Sequence, residues 1–492
     1  MTSSKGGRRL GTALGTLLLA LCLAPAAVAA PPWSKPQALS AKGHVWSDPL
    51  AVLGEDGYGV VTWTGDLPGR RLAPRPLLAE RLPGDARFTR GRPIGPRDWS
   101  MAGLGIAEEE ALTFHSIWRY NRGIRIRTHS SDGTLGPLQR LGPRRIRGFA
   151  LDVARDGTAV AAWTGRRGVR ASIRSPGGDF GPPIAIVDER RVDFGVAAAT
   201  GGGAVVVWQR YGRRIGDGRA YASIRPPGGL AFEQPRRLPG TRDLQLWSTA
   251  INDVGEVVAT FENHTELIAV AASVKAAIGP FDSPAELGVG HFNLSPVVDA
   301  DSSGRFVAAW DRLTWRFGNL SPQVSTYTDA VGWSGPRPAS PRGMSMWSFD
   351  LSPAGTVGLG IYDVRRRRQI LRASIQPPGA PMSKAERIKL VNGKAKWLIT
   401  PVVAVDDDAG AVAAWATGLI RPARVFVSSR APALAAPATP ARSARSAGRS
   451  PASARAVGEP GRRALSARRR GRPKNVIAPV LPSPSPQHQS SR

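Results

Sequence analysis

Residues Asp156–Trp163 read DGTAVAAW. An acid and a glycine lead into small and β-branched residues, and a large aromatic closes the run. The same order recurs along the chain. Its closing apolar residue falls at Trp63, Trp118, Trp163, Trp208, Phe261, Trp310, Ile361 (followed by Tyr362) and Trp415, 45 to 55 residues apart. A fixed period of this size marks a repeat architecture, in which one supersecondary unit is copied and stacked.

The unit around DGTAVAAW divides into four short strands. Phe149–Val153 is apolar, and Ala154–Gly157 turns the chain. Thr158–Trp163 is apolar nearly throughout, as a strand buried on both faces should be. Gly165–Gly168 turns again, Val169–Arg174 alternates as a half-exposed strand does, and Pro176-Gly177-Gly178 precedes a last strand over Phe180–Val187. Four short strands joined by Gly- and Pro-rich turns make one blade of a β-propeller. The last strand carries an aromatic, a proline three later and an aliphatic three after that: Phe180, Pro183, Ile186; Phe232, Pro235, Leu238; Phe281, Pro284, Leu287.

Trp33, Pro36 and Leu39 repeat that signature out of phase, ahead of the first unit, while the eighth unit stops after its third strand, Arg424–Ser429. Pairing the two would close a ring and remove two free sheet edges. The expected fold is therefore all-β: a single β-propeller of eight four-stranded blades over residues 31–430, closed by the N-terminal strand. Seven blades are the alternative, because Glu108-Glu109-Glu110 replaces the turn glycine of the second unit.

The two ends differ from the repeat. Lys5, Arg8 and Arg9 precede an apolar run, Leu10–Ala24, and Ala27-Val28-Ala29 offers a small-residue cleavage site, so residues 1–30 read as a secretion signal. Cys22 is the only cysteine and lies within it, which leaves no disulfide or thiol chemistry to the rest. From residue 431 to 492 Ala, Pro, Ser and Arg dominate, with twelve basic residues against Glu459 alone; this composition predicts a disordered basic tail. The expected location is extracellular, with the tail able to lie against an anionic cell wall. No apolar run after the signal is long enough to span a bilayer.

The whole chain carries a formal charge of +30, of which +16 falls on residues 31–430. With the N-terminal strand outermost, the first strand of each unit lines the central channel. The turns after it then form a lower face, which is acidic or neutral: Glu55-Asp56, Asp156, Asp253, Asp301 and Asp406–Asp408. The turns between second and third strands form an upper face rich in arginine: Arg70, Arg71, Arg119, Arg122, Arg166, Arg167, Arg213, Arg214, Arg312, Arg316, Arg365 and Arg366. A second aromatic series, including Trp46, Trp99, Phe149, Phe194, Trp247, Phe292, Trp347 and Trp397, falls at the start of each first strand, near the upper mouth. Guanidinium groups grip carboxylate and phosphate, and indole rings offer faces for stacking. These arginines and tryptophans are the candidate ligand-binding residues. Packing between blades is the competing role for the aromatics.

The D-x-x-G pattern followed by Trp resembles, over the repeat region in general, the boxes of sialidase propellers, although the aromatic here falls six residues after the glycine, as in Gly157 and Trp163. The chain is more similar to the repeat proteins of secreted bacterial β-propellers. The sialidase likeness implies a glycoside hydrolase built on an arginine triad, a Tyr–Glu pair and an Asp acid, but no spacing singles out such a set and no catalytic residue is assigned. Asp299-x-Asp301-x-x-Gly304 has part of a calcium loop and is read as turn chemistry; the six histidines show no ligand spacing. No metal or cofactor is expected. The expected function is non-enzymatic binding of an anionic polymer or acidic glycan by a monomer, with nucleic acid disfavoured as a partner. A sialidase-like hydrolase or lyase, or a protein-interaction scaffold, are the alternatives.

Overall fold

The computed structural model describes residues 31–66, 74–119, 122–189, 192–210, 218–263, 268–290, 292–313, 320–365, 368–391, 398–417 and 423–432. Their strands form eight antiparallel sheets arranged as a ring, an eight-bladed β-propeller. Blade 3 is typical, with strands Ile146–Val153, Ala159–Gly165, Gly168–Arg174 and Ile184–Val187 in spatial order from the channel outward. The second unit forms a full blade, so the count is eight rather than seven. The inner strands are Leu50–Leu53, Ser100–Ala107, Ile146–Val153, Val192–Ala199, Leu244–Ile251, Phe292–Ala300, Met344–Leu351 and Leu398–Val405.

The repeat's small residues have a packing reason. Second strands are buried on both faces, so alternate residues serve different neighbours. In blade 3, Ala159, Ala161 and Trp163 pack with blade 2, whereas Val160 and Ala162 pack with blade 4. Eight apolar clusters result, each drawn from two adjacent blades. The closing aromatic faces back in five blades: Trp63, Trp163, Trp208, Phe261 and Trp310 each lie in the cluster shared with the preceding blade. They are core residues, exposed by 1% or less.

Ring closure follows the same chemistry. Gln37–Ala38 is the outermost strand of blade 8, with Gln37 opposite Val427 and Ala38 opposite Phe426. Ser34 N donates to Ser429 O at 2.7 Å and Leu39 N to Val425 O at 2.9 Å. Leu39 and Val45 then join blades 8 and 1 in one cluster with Trp63 and Val425. The outer strands are shorter than the sequence pattern suggests. Phe180 and Phe281 make isolated bridges to Arg174 and Lys275, and blade 6 splits its outer edge into Gly332–Trp333 and Arg337–Pro338.

The lower turns are tightly built. Gly57, Gly157, Gly255, Gly304 and Gly355 have φ between +80° and +93°, where L side chains are strained. Ala111 (φ +49°) and Ala409 (φ +60°) take the glycine's place in blades 2 and 8. The acids at these turns accept their own backbone N–H groups: Tyr58 N donates to Asp56 and Thr158 N to Asp156, both at 2.8 Å. They also tie blades together, through Gly201 N to Asp156 at 2.7 Å, Thr200 N to Asp253 at 3.0 Å and Ala354 N to Asp407 at 2.6 Å. The lower end is not purely acidic. Arg155 pairs with Glu55 and Glu109 at 3.4 Å, and Arg174 caps Gly157 O at 2.6 Å.

Candidate functional site

Bulges shape the upper ends of the inner strands. The pairing slips at Ala102, Arg147, Trp247 and Trp347, each skipped between paired neighbours. A bulge re-aims the side chain it carries. Ala102 and Trp247 line the channel, Arg147 is exposed, and Trp347 is 45% exposed. The bulges are held from the preceding blade by the residue that follows the buried aromatic. Thr64 Oγ1 accepts from Met101 N at 2.9 Å, Gln209 Oε1 from Leu246 N at 2.7 Å, and Asp311 Oδ1 from Met346 N at 2.8 Å.

The sequence-derived candidates separate into several groups. Trp46 is 48% exposed; its Nε1 donates to Asp66 at 3.0 Å, and its ring meets His44 edge-on at 5.4 Å. His44 is itself held by Asp66 at 2.9 Å. Trp347 meets Tyr362 edge-on at 6.0 Å. Both indoles are thus exposed and fixed in orientation. Phe149, Phe194 and Trp247 converge on the channel mouth. Trp99 is buried at 4% exposure, with the Arg125 guanidinium 4.9 Å above its ring, so it serves the core. Arg122, Arg166, Arg167 and Arg312 are exposed at the upper end. Arg70, Arg71, Arg213, Arg214, Arg316, Arg366 and Trp397 lie outside the described residues, as do the side chains of Arg119, Phe292 and Arg365.

Below the mouth, the channel holds about 150 Å³ of free space. Phe149, Phe194, Trp247 and Phe349 form aromatic walls; Asp152, Asp253 and Asp299 supply carboxylates. The sequence placed Asp253 among the lower turns and Asp299 in turn chemistry, and did not single out Asp152 or bring the three to the channel. Asp152, Asp299 and Asp350 occupy the last-but-one position of their inner strands, where the other blades place Val52, Ile106, Ala198, Ala250 and Ala404. An acid inside an otherwise apolar strand, at the same register in three blades, was the available signal. Asp152 accepts from Val153 N at 2.6 Å and from Ala198 N of the next blade at 2.7 Å. Asp350 accepts from Val405 N of its next blade at 2.8 Å. Burial pushes Asp152 up to about 8, against the pull of those N–H groups and with help from the charge of Asp299.

Two acids near the bulges are also perturbed. Burial raises Glu262 to about 7, partly offset by the Trp247 indole, and raises Asp311 to about 7 despite its bonds from Ser345 and Met346. A third polar group is buried between blades 1 and 2. Tyr58 Oη and His129 Nδ1 are 2.9 Å apart, and His129 Nε2 lies 2.8 Å from Glu80, which also pairs with Arg92 at 3.1 Å. His115 lies beside His129, ring centroids 5.7 Å apart and tilted, and is fully buried, which holds its imidazole well below the usual histidine range. This relay links blade 1 to blade 2 and reads as an inter-blade joint.

Neither a protein-family profile nor a curated protein matches the sequence. Among solved structures, the chain is similar to a PL25 ulvan lyase bound to -[GlcA(1-4)Rha3S]-, with 10% identity and a TM-score of 0.45 over 80% of this chain and 95% of that one. It is also similar to the BP39L lectin from Burkholderia pseudomallei, with 12% identity and a TM-score of 0.47 over 72% and 100%. A protein of unknown function from Dyadobacter fermentans shares 12% identity at a TM-score of 0.40, over 82% and 100%. These likenesses concern the course of the chain alone. Among the described residues no helix is long and apolar enough to cross a membrane, and none of the His, Asp and Glu side chains form a metal-binding group of three or more.

Proposed function

We propose that this chain is an extracellular glycan-binding propeller, taking an acidic or neutral polysaccharide across its upper face. The observation that carries the reading is the pair Trp46 and Trp347. Each is about half exposed on a propeller whose other described tryptophans are buried or half-buried, and each is held in place by neighbouring side chains. An exposed but oriented indole is a platform for the apolar face of a sugar ring. The guanidinium groups of Arg122, Arg166, Arg167 and Arg312 at the same end suit carboxylate or sulfate substituents. Extracellular location rests on the N-terminal signal sequence, and mass determination of the N-terminus of the native protein tests it.

Binding is tested by retention of the full chain on immobilised acidic and neutral polysaccharides at low and high salt, beside the W46A/W347A double variant. The variant keeps every basic residue, so charge-driven retention survives in it. Loss of salt-resistant retention in the variant supports the reading; equal retention of the variant and the wild-type chain at high salt overturns it. An enzymatic reading has one supporting feature, the protonatable Glu262 beside Trp247 at the channel mouth. Appearance of an unsaturated or reducing-end product on incubation, absent in Glu262→Gln, is the outcome that favours it.

A further inference from the structure

The channel contradicts the charge of the molecule around it. The chain carries +30 overall, yet the residues lining the channel cavity include three carboxylates and, among the described residues, no lysine or arginine. The walls above the acids are aromatic: Phe149, Phe194, Trp247 and Phe349. One carboxylate oxygen of the lining, Asp253 Oδ2, is buried with no hydrogen-bond partner among the described residues. A buried acceptor without a donor is costly, and an approaching cation removes that cost.

From the aromatic walls, the carboxylates beneath them and the orphaned Asp253 oxygen, we infer that the channel is a binding site for a small organic ammonium ion. Ring faces attract such a cation through their quadrupoles, most strongly where water is excluded. Asp299, whose charge is felt at Asp152, and Asp253 supply the countercharge. The free volume of about 150 Å³ matches a ligand of about six heavy atoms, the size of a tetraalkylammonium head. The bulge that removes Trp247 from strand pairing is what turns its indole into this wall. The site is separate from the Trp46 and Trp347 platforms, so either can fail without the other.

The test is calorimetric titration of the full chain with choline and with 3,3-dimethylbutan-1-ol, which has the same shape without the charge. Choline binding at least about tenfold tighter than the alcohol is expected. Trp247→Ala and Asp299→Asn should each weaken choline at least about tenfold, while Trp46→Ala leaves it unchanged. Near-ultraviolet circular dichroism identifies any variant that has lost its fold. The proposal is overturned if the folded wild-type chain gives no binding, if the alcohol binds as tightly, or if folded Asp299→Asn binds choline like the wild type.

Discussion

At the lower end of blade 6, Asp301 accepts from Ser303 N at 3.0 Å and Arg305 N at 3.1 Å and pairs with Arg305 Nε at 2.6 Å. Arg305 then reaches blade 7 through Gly355 O at 3.0 Å. At the upper end of blade 7, Trp347 has slipped from its strand's pairing, lies 45% exposed, and touches Tyr362 edge-on. The first arrangement uses a side chain to finish the backbone's hydrogen bonding. The second leaves a large apolar surface fixed but uncovered. In one propeller, then, the lower ends serve closure of the ring and the upper ends present chemistry to solvent.

The largest expected effect breaks the lower end. Asp301→Ala removes several buried hydrogen bonds and the partner of Arg305, and should cost about 2–4 kcal/mol in denaturant unfolding. A loss below about 0.5 kcal/mol would mean that the turn does not need its acid.

The next effect separates the ends by pH. Asp311, which holds the blade 7 bulge, has its folded pKa raised from 3.8 to about 7. The folded state therefore binds its proton more tightly than the unfolded state, and the associated stability is present below about 4 and lost as pH rises through about 7. The melting temperature should fall across that window, and Asp311→Asn should flatten the decline while keeping an acceptor for Met346 N. An unchanged slope in the variant would assign the pH dependence elsewhere. Glu55, raised to about 7 by burial and by its hydrogen bond with Asp407, contributes in the same direction from the lower end.

A smaller gain is expected at the blade 8 turn. Ala409 sits at φ +60°, where blades 1, 3, 5, 6 and 7 place glycine, so Ala409→Gly should relieve strain and stabilise by up to about 1 kcal/mol. The smallest stability effect belongs to the upper end: Trp347→Ala should change unfolding by no more than about 0.5 kcal/mol while weakening salt-resistant glycan retention. A large destabilisation there would make the indole a packing residue.

The fold was legible because the ring forces each blade to repeat one solution. Ala159, Val160, Ala161 and Ala162 are small since two neighbours crowd them, and Trp163 fills the space against blade 2 near the strand's upper end. The turn glycines and the displaced Trp33–Leu39 segment were readable for equally local reasons. The site was less so. Trp46 and Trp99 look alike in sequence, yet one is exposed beside Asp66 and the other lies under Arg125, a contact with another strand of blade 2. The pins from Thr64, Gln209 and Asp311 act across more than thirty residues and leave no local pattern. The channel acids were hidden because register across blades, not spacing within one, brings them together.

The seam between residues 34–39 and 424–430 joins strands by the same pairing and apolar contacts found inside every other blade. The polypeptide is thus a circle opened at one of eight equivalent places. A permuted gene that links residue 430 to residue 31 through a short Gly/Ser segment, with new termini in the exposed turn at 176–178, would give blade 3 a borrowed outer strand in place of blade 8, and the ring should close around it unchanged.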